Sequence, residues 1–249
     1  MSELQVPTLA EFVRLRRMRP TWSAPTGMSR QQLAAAIHSS IGYIAKIEQG
    51  DAHSPSPGVL DALVDVLGLD ADERIHLYRL AHRTPQEEET DIIPATLQPT
   101  LDALAPHPAA ALGAYSELLA CNSACDAAFP GIRASGSTLR WLFTNPYARL
   151  VVEEWEREAG LAVGRLRHCA GTAEAPESLR RLLDELGDEP DFRRLWTSQR
   201  VMTHRPDSTM RLRDPRTGVV RIIRIEELST TGQRRHLLLL GLPTDADVA

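Results

Sequence analysis

The chain has 249 residues, a formal net charge of −5, 43% hydrophobic residues and 24% charged ones. That balance belongs to a soluble globular protein of one large or two ordinary domains, and no run approaches the roughly 18 apolar residues of a membrane span. It excludes a protein that coats nucleic acid along its length, but not one with a local basic face. The opening MSELQVPTLAEF has no basic stretch followed by an apolar one, so no secretory signal is expected. Three cysteines, Cys121, Cys125 and Cys169, do not make a disulfide framework, and the reducing cytoplasm is the expected compartment.

The first eighty residues read as five short helices. Thr8 caps the first, LAEFVRLRRMR, with Leu9, Phe12, Leu15 and Met18 at helical spacing and Arg14, Arg16, Arg17 and Arg19 on other faces. Pro20, Pro25 and Gly27 break it into a loop. Ser29 and Gln32 form a capping box for the second helix, whose inner stripe is Leu33, Ala34 and Ile37. The third begins at Ser39 or Ser40, carries Ile41, Ile44 and Ile47, and ends at Gly50. The fourth has Ser56 as cap, Pro57 in its first turn and Gly68 after its end. The fifth opens on the pair Asp70 and Glu73 and turns Ile75, Tyr78 and Ala81 inward. Two short helices about three residues apart suit a helix-turn-helix or an ordinary helical bundle with one tight turn.

The stretch SRQQLAAAIHSSIGYIAKIEQGDAHSPSPGVLDALVDVLGL resembles the lambda-repressor-like, or XRE-family, DNA-binding domain at Ser29, Leu33, Ala34, Ser40, Tyr43, Ile44, Ile47, Glu48, Gly50, Pro57, Leu60, Leu63 and Leu67. The resemblance implies that the third helix enters a DNA major groove. Ile41, Gly42 and Lys46 would then face bases and Ser40 a phosphate, with Ser39 and Tyr43 beside them and Arg30 near the backbone. Lys46 can donate to guanine, Ile41 can touch only a thymine methyl, and Gly42 permits close approach. With so few hydrogen bonders, DNA shape or the N-terminal arginines in a minor groove would add specificity. Glu48 is expected to pair within the protein. Three departures stand out: Arg30 where glutamine is usual, Ser39 where an apolar residue is usual, and His38 at a turn position that favours glycine and so demands a positive φ. Residues 1–83 hold nine Lys/Arg and nine Asp/Glu, so DNA binding requires the basic ones to gather on one side.

RTPQEEETDIIPATLQPT reads as a linker, which divides the chain into 1–83, a linker 84–96, and a second domain 97–249. LQPTLDAL is a short helix. PAAALG and ELLACN form a hairpin around AYS, followed by a helix over Ser123 to Phe129. With Asn145 as cap and Pro146 at its first position, NPYARLVVEEWEREAGLAVGRLRHCAG reads as one long amphipathic helix. Two more helices cover Glu177 to Leu186 and Pro190 to Gln199. TMRLRDP, VVRIIRIEEL and RHLLLLGL are three closing strands. The predicted architecture is α+β: a five-helix domain, then a five-stranded antiparallel sheet with helices over one side.

The segments HPAAAL, LLACNSACDAAFPG, LRWLFTNPYARLVVEEWE and DFRRLWTSQRV, with the terminal strands, resemble the MmyB-like ligand-binding domain found behind helix-turn-helix domains in regulators. The resemblance implies a PAS-like fold, a fatty-acid-like or other small apolar ligand, and a homodimer. Cys121 stands where the family commonly has tryptophan. The candidate cavity residues are Cys121, Phe143, Leu150, Trp155 and Trp196, placed between the long helix and the closing strands. Core and cavity wall have the same composition, so Trp141, Phe143, Tyr147, Trp155 and Trp196 suit either.

No nucleophile, acid/base pair, phosphate loop or serine elbow is visible, so no catalytic residue and no cofactor is expected. Cys121-x-x-x-Cys125 and His168-Cys169 lack zinc spacing, and no metal is expected. The expected function is a DNA-binding transcriptional regulator whose second domain senses an apolar ligand and dimerises. The rival is a helix-turn-helix interaction module with a second domain that only dimerises.

Overall fold

The computed structural model describes residues 4, 6–20, 24–52, 54–81, 96–171, 177–229 and 237–243. The expected linker, 84–96, lies outside them except for Thr96. Five helices come first: α1 Leu9–Arg17, α2 Arg30–Ala36, α3 Ile41–Gln49, α4 Pro57–Leu67 and α5 Ala71–Ala81. Local chemistry sets their ends. Thr8 accepts from Glu11 N, and the Ser29–Gln32 capping box is complete. Ser40 accepts from Tyr43 N, while Gly50 and Gly68 close α3 and α4 in the left-handed conformation.

Two inner faces differ from the sequence reading. Helix α1 buries Leu9, Phe12, Val13 and Arg16, leaving Met18 exposed. Helix α5 buries Glu73, His76, Leu77 and Leu80, leaving Ile75 exposed. The cause is shared. The Arg16 guanidinium lies 4.6 Å from the Phe12 ring centroid and pairs with Glu73 at 2.9 Å. Turning Glu73 inward brings along the residues three, four and seven positions later.

The second domain adds α6 Leu97–Asp102, β1 Ala109–Leu112, β2 Leu118–Cys121, α7 Ser123–Ala128, α8 Ile132–Ser135, α9 Thr138–Thr144, α10 Ala148–Val151 and α11 Trp155–Ala170. It continues with α12 Glu177–Leu186, α13 Pro190–Thr197, β3 Thr209–Arg213, β4 Val220–Ser229 and β5 Leu237–Pro243. The sheet is five-stranded and antiparallel throughout, in the order β2-β1-β5-β4-β3. Strand alternation assigns its faces: Ala110, Leu112 and Leu239 join the cluster under α7, α9 and α11, whereas Ala109, Ala111, Leu238 and Leu240 pack on α6. Helices therefore lie on both sides; among the described residues, α6 is the helix on the second.

The expected single helix from Pro146 is two helices, α10 and α11, separated at Val152–Glu154. Val152 forms a β-bridge with Leu212, and Glu153 N donates to Arg211 O at 3.1 Å. The sheet edge takes backbone groups that a continuous helix would use. Helices α8 and α9 have no counterpart among the elements expected from the sequence.

Candidate functional site

The first candidate site is the face of α3. Between α2 and α3 the chain turns through residues 37–40, and His38 takes φ 54° there, the positive value its position demanded. Ile44 and Ile47 are buried, whereas Ile41 is 50% exposed and Lys46 and Gly42 face solvent. An added Cβ on Gly42 would meet only Ser40 Oγ, at 3.9 Å, so folding does not require glycine there. Ser39 and Tyr43 are half-buried at its edge; Arg30 opens α2 with 44% of its side chain exposed.

Behind that face, the side chain of Glu48 is wholly buried and pairs with two arginines, as expected of a residue kept from DNA. Arg17 donates from Nε at 2.5 Å and from Nη2 at 3.1 Å, and Arg30 donates from Nε at 2.7 Å. Burial opposes ionisation of this carboxyl, but the hydrogen bonds from Arg17 and Arg30 outweigh it and hold it below its usual range. Arg17 also donates to Met28 O at 2.5 Å, while Arg16 and Arg19 both pair with Glu73. The N-terminal arginines suggested for a minor groove are thus mostly committed to internal pairs, and only Arg14 of the four is fully on the surface.

The second candidate site is a cavity of about 170 Å³ between the sheet and the helices. Its walls are Ala110, Leu112, Ile223 and Leu239 from the strands, Phe129, Trp141 and Leu142 around α7 and α9, and Leu161 and Ala162 from α11. Trp141 packs edge-on to Phe129 and donates its indole N–H to Pro130 O at 2.9 Å. Cys125 also lines the cavity; its hydrogen bond with Cys121 and its burial push the thiol's pKa upward, which keeps it protonated. Polar residues lie in the wall formed by Glu158, Arg165, Glu227 and residues 203–205.

None of the five expected cavity residues is in that wall. Cys121 is buried behind Cys125. Phe143 packs on Trp155 and Phe192, and Trp196 stacks on Phe192 under the Arg167 guanidinium. Trp155 lies under Arg149, donates to Leu142 O at 2.9 Å, and borders a polar groove near α1. Leu150 is 57% exposed, because the break after α10 turns it outward. The expected region, between the long helix and the closing strands, does hold the cavity, through Leu161, Ala162 and Arg165 one to three turns later. Met202 to Arg205 were missed, since they lie in an aperiodic stretch with no local pattern to mark them.

That aperiodic stretch also touches the helical domain. Val201 is 5% exposed and packs into the core of α1–α5. Arg16 donates to Gln199 O at 2.8 Å, and Thr203 Oγ1 bonds to Asp72. Nearby, Arg79 donates to Cys169 O at 3.2 Å and His76 packs on His168. Burial, aided by His168 and three arginines, lowers the His76 pKa to about 2, so the ring is neutral in this joint.

Matches to known families follow the same division. Residues 8–77 match the model described as a helix-turn-helix domain, and residues 93–249 match the MmyB-like transcription regulator ligand binding domain. The protein is a DNA-binding transcriptional regulator of the helix-turn-helix class. More than half of its length lies in the second match, and the chain belongs to the MmyB-like transcription regulator ligand-binding domain family. No curated protein is matched by the sequence. Among the described residues, no helix is long and apolar enough to cross a membrane.

Proposed function

We propose that this regulator senses a small apolar molecule in the second-domain cavity and passes the state of that cavity to its helix-turn-helix through residues 199–205. The observation that carries the reading is the double role of this segment. Val201 sits in the core of the helical domain, while Met202 to Arg205 belong to the cavity wall. A ligand that prefers one setting of the segment shifts DNA affinity by that preference and no more. The five-stranded antiparallel sheet with a cavity beneath its helices supports the PAS-like reading, and the capped α2–turn–α3 unit supports the lambda-repressor-like one. In this reading the chain performs no catalysis. It acts as a homodimer on a two-fold operator with half-sites about one DNA turn, roughly 34 Å, apart.

The test is operator binding, followed by anisotropy, with and without an apolar ligand identified by thermal shift on the full chain. A ligand at about a hundred times its dissociation constant raises stability by about 2.7 kcal/mol. Operator affinity is expected to change about fivefold or more when it binds. Gly164→Ala places a Cβ 2.7 Å from Met202 Cγ, so it should displace the segment and shrink that change. Ligand binding that leaves operator affinity unaltered would sink the coupling.

On the DNA side, the exposed set Ile41, Gly42 and Lys46 is assigned to the bases and Ser40 to a phosphate, with Ser39 and Tyr43 beside them and Arg30 near the DNA backbone. Lys46→Ala should cost about 1–3 kcal/mol of operator binding. Gly42→Ala should keep or raise fold stability, by up to about 1 kcal/mol, yet weaken operator binding by filling the space where the backbone approaches. Wild-type affinity in both variants would show that α3 does not read DNA.

A further inference from the structure

We propose that the ligand is neutral: an apolar chain or ring ending in an alcohol, ketone or ester, and not a carboxylate. This rests on the sensor reading above and narrows it. The cavity is walled by side chains such as Leu112, Trp141, Leu161 and Leu239. Among the described residues, the guanidinium groups in its wall, Arg165 and Arg205, are both already engaged by carboxylates of the same wall. Arg205 grips Glu158 with a two-pronged contact, at 2.7 Å from Nη1 and 3.0 Å from Nη2, and also donates to Thr209 O at 2.9 Å. Arg165 meets Glu227 at 3.1 Å.

Two guanidinium groups against two carboxylates leave this part of the wall without net charge. The pairing also differs in depth. The Glu158 side chain is only 4% exposed and takes a further contact from Arg157 at 3.1 Å. An incoming carboxylate would have to draw Arg205 away from it, leaving the buried Glu158 carboxylate with Arg157 but without its two-pronged partner, beside a second carboxylate. Displacing Glu227 from Arg165 is less costly because that pair is partly exposed, but the ligand then faces the displaced carboxylate. A neutral ligand leaves both pairs intact and loses nothing on entry but its own hydration. Ser116 and Thr138 add hydroxyls to the wall that suit a single alcohol or carbonyl. Glu158 and Glu227 are therefore specificity-determining residues, acting by exclusion.

The experiment uses the full chain at neutral pH and three matched series of medium and long straight-chain compounds: acids, primary alcohols and methyl esters. Binding is read by thermal shift and calorimetry. Alcohols or esters are expected to bind about tenfold or more tighter than the acid of equal length, a difference of about 1.4 kcal/mol. Glu227→Gln, which frees Arg165, should improve acid binding while leaving alcohol binding unchanged, and adding Arg165→Met should remove the gain. The melting point of each unliganded variant verifies that it folds. Acids that bind the wild type as tightly as the alcohols would overturn the ligand class and leave the sensor reading standing. Absence of binding by all three series would overturn both.

Discussion

Glu48→Ala is expected to destabilise the helical domain by about 3–5 kcal/mol, a large part of the margin of a domain this size. The substitution removes the one carboxylate on which Arg17 and Arg30 converge, and the Arg17 side chain is only 10% exposed. Its charge would stay buried with Met28 O as the remaining acceptor. Glu48→Gln keeps the shape and an acceptor oxygen but not the charge, so it should fall between alanine and wild type. The pH dependence has a definite sign. The carboxyl is held below its unfolded value of 4.5, so its contribution is complete above that value and lost as pH falls through the lower folded one. Urea unfolding of wild type and Glu48→Gln at neutral and acid pH measures both effects. A loss under about 1 kcal/mol for Glu48→Ala would mean that the pair holds nothing together. Because the same carboxylate orients α1, α2 and α3, the variant should also lose operator binding in proportion to the unfolded fraction.

Asn122→Ala should cost the second domain about 4 kcal/mol. Asn122 is fully buried and uses its whole amide. Oδ1 accepts from Ala109 N at 3.1 Å and Cys125 N at 2.9 Å, while Nδ2 donates to Leu101 O at 3.0 Å and His107 O at 2.8 Å. Alanine strands four backbone groups in a dry site. Asn122→Asp is the sharper test. It preserves the two accepted bonds but points an oxygen at two carbonyls, so it should be at least as damaging as alanine. The affected elements, α6, β1 and α7, include the cavity wall around Cys125, so ligand binding should fail along with stability. A melting point near wild type for Asn122→Asp would contradict this account.

The arginines mark how far local sequence carries. The family resemblance sets Arg30 near the DNA backbone, and Glu48 in a DNA-facing helix is expected to pair within the protein. The structure joins the two, so Arg30 can offer DNA only the part of its guanidinium that Glu48 does not hold. The spacing in α1 placed Arg16 outside, because helical periodicity counts an arginine as polar. Only the facing Glu73 and the Phe12 ring make its burial tolerable.

What the sequence determined by itself was local: the capping box at Ser29 and Gln32, the glycine ends of α3 and α4, the strained turn at His38 and the alternation of the strands. Each depends on residues within one turn or one pleat, where backbone sterics and nearby hydrogen bonds decide the outcome. The tertiary structure alone decided the break between α10 and α11, since Glu153 N donates to Arg211 O, on a strand about sixty residues away, and not to its own helix. It alone decided which apolar residues face the cavity. Trp141 and Trp155 are chemically the same, and burial stabilises both. Only the way α9 and α11 meet the sheet leaves one beside empty space and packs the other under Arg149.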